Sequence, residues 1–481
     1  MCLRFGTNMS QRNVVICVIC APYVFSSLAE RFEQGGSTLI SKQAVSRNNP
    51  SLISTVNELQ HNEITKHKRA VAAAQSSTSS LDLKRIRRYA EALDPELMNF
   101  SAPGGTYDSK YRNPCWTDAE GAFRCIPHVY LLGGFHSGAT SLGQKMSRHS
   151  GILTDGMSFG QFWAEDGKTM KSFVEGFSAA SASVKKDHDK IILEGSQSTL
   201  AFYLASGAKA HRHFTSAFQP CWKMCSEKHY QGGEAEERKE CLEKICHSEA
   251  IEADKKVALD HGFDFMRDQN IPLLMRAVYA EKLPRLVAVL RDPIDRIHSA
   301  YYGYPHYHSR HGRNPTGFLA YVKEQVAGFQ GCVTRRSKGD DASNDDACAL
   351  LFETFGVEEE KVFFHCDQLL RGMHAVYLER WLQYFPRSSM LVVNAEDMFR
   401  NVTVTLMDIF TFLGLKTPNV QEWDTIRFAG PVNKYASDRA MLPEARKILN
   451  DFYKPYNTRL SKLLNDQRYD LWNQPAAAQS S

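Results

Sequence analysis

The sequence lacks a charge imbalance: 58 Lys and Arg against 54 Asp and Glu leave a net charge of +4. That is too little for a surface built to coat nucleic acid, and it suits a local basic pocket instead. No nucleic-acid partner is expected. Internal repeats are absent, which excludes solenoid and propeller arrays. Four cysteines at 221, 225, 241 and 246 lack the spacing of any common zinc finger, so a metal is not expected there. Acidic residues are missing from the first 28 positions, where Arg4 and Arg12 precede the apolar stretch VVICVICAPYVFSSL at 14–28. As a helix this stretch reaches only about 22 Å, short of the roughly 30 Å hydrocarbon core. It fits a thin early-secretory membrane with the N-terminus cytoplasmic, or a cleaved signal peptide.

What is present is ordinary for a globular chain: 43% hydrophobic and 23% charged residues over a length of 481, enough for a large core. Three of the twelve cysteines (Cys2, Cys17, Cys20) lie in or before the apolar segment. Among the rest, Cys115 and Cys125 bracket a short loop, and Cys332 and Cys348 bracket a polar one. Cys221 and Cys225 on one helical stretch can meet Cys241 and Cys246 on another as a two-bridge hairpin, leaving Cys366 free. Such bridges imply an oxidising compartment, where the sequons at Asn99 and Asn401 would be open to glycosylation. Residues 29–110 are rich in Ser, Gln, Asn and Lys and read as a mostly disordered stem, with a helix conceivable in LDLKRIRRYAEAL.

From about residue 111 the pattern changes. HVYLLGGF, KIILEG, RLVAVLRDP and SMLVVNAED are continuous apolar strand candidates, with helical stretches between them such as IPLLMRAVYAEKL, HAVYLERWLQYF and VTLMDIFTFLGL. The alternation implies an α/β, P-loop-like three-layer fold with a central parallel sheet flanked by helices. Ligands in such sheets sit at the carboxyl ends of the strands, where GGFHSGATS and RDPIDR both fall.

The loop LLGGFHSGATSLGQKM matches a nucleotide triphosphate loop except that Ala139 stands where the lysine would be. Backbone amides opening the following helix still make an anion nest, but the triphosphate grip is gone and a kinase is disfavoured. A plain glycine turn is the structural alternative. The second segment weighs against it: Arg291 ends a strand, Pro293 turns the chain, and Arg296 and Ser299 follow on a helix. A guanidinium and a hydroxyl there suit a second phosphate.

Residues 115–472 resemble the PAPS-dependent carbohydrate sulfotransferases, including those acting on glycosaminoglycan chains. The similarity is carried by CWTDAEGAFRCIPHVYLLGGFHSGATSL, LEGSQSTL, IPLLMRAVYAEKLPRLVAVLRDPIDRIHSAYY and the segment from LLRGMHAVYLERWLQYF to FTFLGL. The resemblance implies 3′-phosphoadenosine 5′-phosphosulfate (PAPS) as donor, a glycan or polysaccharide acceptor, no metal, and a single-pass type II Golgi membrane protein with its catalytic domain in the lumen. It divides the chain into a tail (1–13), signal-anchor (14–28), stem (29–110) and sulfotransferase domain (111–475). By position, His136, Ser137, Gly138, Ala139, Thr140 and Ser141 would hold the 5′-phosphosulfate. Arg291 and Ser299 would grip the 3′-phosphate, with Lys434 and Arg439 as late basic contacts or plain surface charges. The chain departs from the family's K-x-G-T-T loop at His136 and Ala139. A protonated His136 is the expected replacement for the lysine. Gln161 stands ahead of Phe162 and Trp163, near where the family often carries a carboxylate and a histidine. The general base is therefore sought among Glu165, Glu194, Asp166 and His188.

Overall fold

A run of buried β-branched and leucine residues forms the centre of the molecule. In the computed structural model the described residues are 82–474, apart from 155–160, 165–167, 197, 203–208, 231–234, 337–343, 351–366 and 429–439. Five parallel strands make the main sheet: β3 (Val129–Gly133), β4 (Ile152–Leu153), β5 (Ile191–Gly195), β6 (Arg285–Leu290) and β7 (Met390–Asn394), in the spatial order β4-β5-β3-β6-β7. Before them β1 (Cys115–Thr117) and β2 (Phe123–Cys125) pair antiparallel as a separate hairpin. Side chains alternate across the sheet as a strand's two-residue period requires. Tyr130, Leu132, Leu286, Ala288 and Leu290 enter one core. Val129, Leu131, Val287 and Val289 enter the other. Two cores on one sheet with helices outside them are the three layers expected, and the four long strand candidates all occur. β4 has two residues and carries no readable signal.

The order of the strands decides where a ligand can bind. From the central β3 the chain runs outward to β4 and back to β5, then crosses to β6 and β7 on the other side. Connections leave in opposite directions on either side of the β3–β6 boundary, which opens a crevice at their carboxyl ends.

The domain starts earlier than composition suggests. Helix Leu83–Leu93, inside the segment read as stem, buries Ile86, Tyr89, Ala90 and Leu93 at helical spacing. Asp82 caps it, and the Tyr89 hydroxyl donates to Gln269 Oε1 at 2.8 Å. The assignment of 29–110 as mostly disordered is corrected for residues 82–110. The apolar segment 14–28 lies outside the described residues; among those described, no helix is long and apolar enough to cross a membrane.

Disulfides join Cys115 to Cys125, Cys332 to Cys348, Cys221 to Cys246 and Cys225 to Cys241. The last two make the double-bridged hairpin expected, so those four sulfurs are committed to each other. The local backbone explains the match. Cys241 and Cys246 are five apart, a spacing an α-helix would turn off one face. Residues Cys241–His247 instead adopt a π-helix, whose i→i+5 turn returns both to the side facing Cys221 and Cys225. Cys366 lies outside the described residues.

At the far side of the domain, Asp346 accepts from both terminal nitrogens of Arg459 at 2.7 and 2.9 Å and pairs with Arg380 at 3.2 Å. Its carboxylate is nearly inaccessible, 6% exposed. It ties helix Asn344–Leu350 to helices His374–Tyr384 and Pro443–Leu464. Asp346→Ala leaves Arg380 without its carboxylate and Arg459 with Glu379 alone, and is expected to cost about 3 kcal/mol of stability. Denaturant unfolding of the variant measures this; a loss under 1 kcal/mol would mean that the carboxylate is not what joins these helices.

Candidate functional site

The loop after β3 is shaped by two glycines that no other residue can replace. Gly134 donates its N–H to the Val289 carbonyl at 2.8 Å, tying the loop to β6. A Cβ there would stand 2.9 Å from Ser137 Oγ and 3.0 Å from that carbonyl. Gly138, at φ +84°, starts helix Ala139–Met146 in the left-handed region, and a Cβ on it would meet Met398 and Phe399 at 2.8 Å. Between them His136 also holds a positive φ of 61°. A non-glycine residue in that region stores strain of about 1–3 kcal/mol, a mark of functional loops.

The cradle fits an anion. The first turn of helix Ala139–Met146 carries no side-chain cap, so its amides present the positive end of the helix dipole. Ser137 is fully buried, and its hydroxyl has no hydrogen-bond partner among the described residues. Its N–H is used inside the turn, to the Gly134 carbonyl at 3.1 Å. The amides available to a ligand therefore begin one residue later than the motif alone implied.

The turn after β6 meets this loop directly. Arg291 donates from Nη1 to the His136 carbonyl at 3.0 Å, and Ser299 Oγ lies 3.2 Å from His136 Nδ1. Asp292 caps helix Pro293–Gly303, accepting from the Ile294 N–H at 2.8 Å, while its own N–H donates to Glu396 Oε1. From the other side the His374 imidazole donates from Nε2 to the Arg291 carbonyl at 2.9 Å. The two expected phosphate positions are thus one continuous site, with His136 as the joint between them.

Charge around His136 runs against its protonation. Burial and the fields of Arg296, Arg291 and Arg371 hold its pKa down at about 3. These push the imidazole toward its neutral form, against the protonation expected from the sequence. The positive charge of the site resides on guanidiniums. Arg296 is fully buried and donates to the Gln368 side chain at 2.9 Å and to the Gln368 carbonyl. Arg371 lies over the Phe135 ring, 4.6 Å from its centroid.

A loop amide nest and an arginine–serine pair at the switch point of a parallel sheet are now joined by comparisons with known proteins. Residues 269–445, which contain β6, Arg291, Ser299 and β7, match the family model described as "Sulfotransferase domain". That span is similar to sulfotransferase domains, and the matches support a carbohydrate sulfotransferase family for the chain. Carbohydrate sulfotransferase 15 of Homo sapiens is 24% identical over 358 residues, 72% of this chain and 54% of that protein; the Mus musculus protein is equally similar. Bifunctional heparan sulfate N-deacetylase/N-sulfotransferase 2 of Bos taurus is 28% identical over 39% of this chain and 20% of its own length. The chain spans about half the length of the first of these curated relatives. A sulfotransferase from Alicyclobacillus acidocaldarius covers 73% of this chain and 99% of its own at 15% identity, with a TM-score of 0.34.

Not every residue singled out in the sequence reaches the site. Glu165, Asp166, Lys434 and Arg439 lie outside the described residues. Glu194 is buried near the carboxyl end of β5, beside Tyr130 in the strand register, and accepts a hydrogen bond from Ser196 Oγ. His188 packs on Tyr111 just before β5 begins, at the opposite end of that strand. Five residues of strand separate it from the carboxyl edge by about 17 Å, so it is removed from the candidates for general base. Arg371, Gln368, His374 and Glu396 went unassigned from sequence. Arg371 and His374 stand in the LLRGMHAVY segment that carries the resemblance, but nothing in their spacing shows that this turn folds back onto β3 and β6.

Proposed function

We propose that this chain transfers a sulfuryl group from PAPS to a hydroxyl of a carbohydrate or glycosaminoglycan-like polysaccharide. The observation that carries the reading is the junction of Arg291, Ser299 and His136. It sets an arginine–hydroxyl pair against an uncapped helix N-terminus, the donor set a bisphosphorylated nucleoside requires. Residues Gly138 to Ser141 hold the 5′-phosphosulfate, and Arg291 and Ser299 hold the 3′-phosphate. In the transfer, the bond from sulfur to the bridging phosphate oxygen breaks and one from sulfur to the acceptor oxygen forms. The phosphate keeps the electron pair of the broken bond, and the hydroxyl proton passes to a carboxylate, Glu194 or Glu165. Lys434 and Arg439 are further donor contacts on this reading. No metal takes part.

Four disulfides support an oxidising compartment. Asn99 and Asn401 are both exposed and open to glycosylation. With 14–28 as a signal-anchor, these features describe a type II Golgi membrane protein with its domain in the lumen.

Transfer of radiolabelled sulfate from PAPS to a panel of desulfated polysaccharides tests the activity. One observation favours a second reading, a non-catalytic binder of PAPS or sulfated glycan: His136, its imidazole pushed toward the neutral form by burial and nearby arginines, stands where the family carries a lysine. Transfer to any acceptor rejects it. His136→Ala is expected to abolish turnover while 3′,5′-adenosine bisphosphate still binds. Unchanged turnover would remove the imidazole from the reaction.

A further inference from the structure

The loop has His136 where the family carries a lysine, and its surroundings push the imidazole toward the neutral form, yet negative charge grows on the leaving oxygen as sulfur departs. A cation must face it from another element. Three guanidiniums act on His136. Arg296 is fully buried and committed to the Gln368 side chain and carbonyl. Arg291 holds the His136 carbonyl and stands beside Ser299's helix, on the 3′-phosphate side.

Arg371 is placed differently. It sits in the turn between helices Asp367–Leu370 and His374–Tyr384, and its guanidinium lies 4.6 Å over the Phe135 ring, which is 5.0 Å from the His136 ring. Phe135 also stacks on Tyr304 at 5.6 Å, so the platform under the guanidinium is held. The turn is equally fixed. Gly372 and Met373 donate back to Leu369 and Leu370, and the Tyr453 hydroxyl donates to the Leu369 carbonyl at 2.8 Å. A Cβ on Gly372 would stand 2.7 Å from the Tyr453 ring. A guanidinium on a rigid turn, nearly buried and with its face on an aromatic ring, presents its charge in a fixed direction.

The geometry points to Arg371 as the residue that brings positive charge to the 5′-phosphate, and hence to the departing oxygen, in place of a loop lysine. The inference rests on the donor reading above. It makes Arg371 specific for the 5′ end of the ligand, whereas Arg291 serves the 3′ end.

Calorimetry on the full chain separates the two with adenosine 3′-phosphate and 3′,5′-adenosine bisphosphate as probes. Arg371→Gln is expected to weaken the bisphosphate about 10–100-fold, the loss of one charged hydrogen-bond donor. Adenosine 3′-phosphate should bind it as it binds the wild type, and Arg371→Lys should fall between. Equal weakening of both probes would make Arg371 a structural residue and overturn the assignment, as would no weakening of either. If the wild type binds neither probe, the donor reading itself fails and Arg371 loses its role with it.

Discussion

Arg291→Gln is expected to lower affinity for 3′,5′-adenosine bisphosphate by about two to three orders of magnitude. Two losses combine in that figure. On the proposed reading the guanidinium faces the 3′-phosphate, and removing one partner of a desolvated, hydrogen-bonded charge pair costs about 2–5 kcal/mol. The same side chain donates to the His136 carbonyl, helping to hold a residue at positive φ. The variant should therefore lose affinity for adenosine 3′-phosphate as well. Calorimetry with the two nucleotides, beside a thermal melt to confirm folding, checks this. A folded Arg291→Gln protein that binds both like the wild type would show that the crevice between β3 and β6 is not where the bisphosphate sits.

Acid is expected to destabilise the domain steeply, well before carboxylates titrate in bulk. His128 and His136 are held down at about 3, and His247, His298 and His374 at about 4, chiefly by burial. In the unfolded chain each returns to about 6.5. Between those limits the unfolded state binds more protons than the native one, so stability is full above pH 6.5 and is lost as pH falls through the window. Three carboxyls work the other way, since burial raises Asp94 and Glu396 as well as Asp292. Asp292, buried beside Asp295 and Glu396, is pushed up to about 7, and it gains a proton in the native state first. Five histidines outnumber these carboxyls, which leaves a net loss of a few kcal/mol between pH 7.5 and 5.5. In thermal melts this should appear as a fall of about 5–10 °C. A melting temperature flat across that range would mean that these imidazoles are far better hydrated than their packing implies.

The sheet was legible because its strands are buried on both faces, and such strands read as unbroken apolar runs. VYLL, IILEG, RLVAVL and MLVVN need no partner information to be recognised. The cradle was legible for a similar reason: glycine and small hydroxyls between a strand and a helix constrain the backbone locally. What stayed hidden depends on tertiary placement. His188 and Glu194 are close in sequence but sit at opposite ends of β5, and only the strand's direction separates them. Arg371 lies far along the chain from Phe135 and meets it through a fold-back that no periodicity encodes. The charge around His136 was only half legible, because Arg291 and Arg296 come from the turn after β6 but Arg371 from a segment far along the chain. Helix Leu83–Leu93 has a clear apolar stripe, but polar residues before it made the whole region look like tether.

The order of the strands has a consequence for biogenesis. β3 is the first strand of the main sheet to leave the ribosome, yet it is the central one, and its partner β6 is synthesised only after the whole disulfide-bridged hairpin has emerged. Until then one edge of an apolar strand stands open, and no truncated product ending before β6 can assemble the crevice. Maturation of this protein should be post-translational in its decisive step, slow for its size, and dependent on chaperones that shield β3 while it waits.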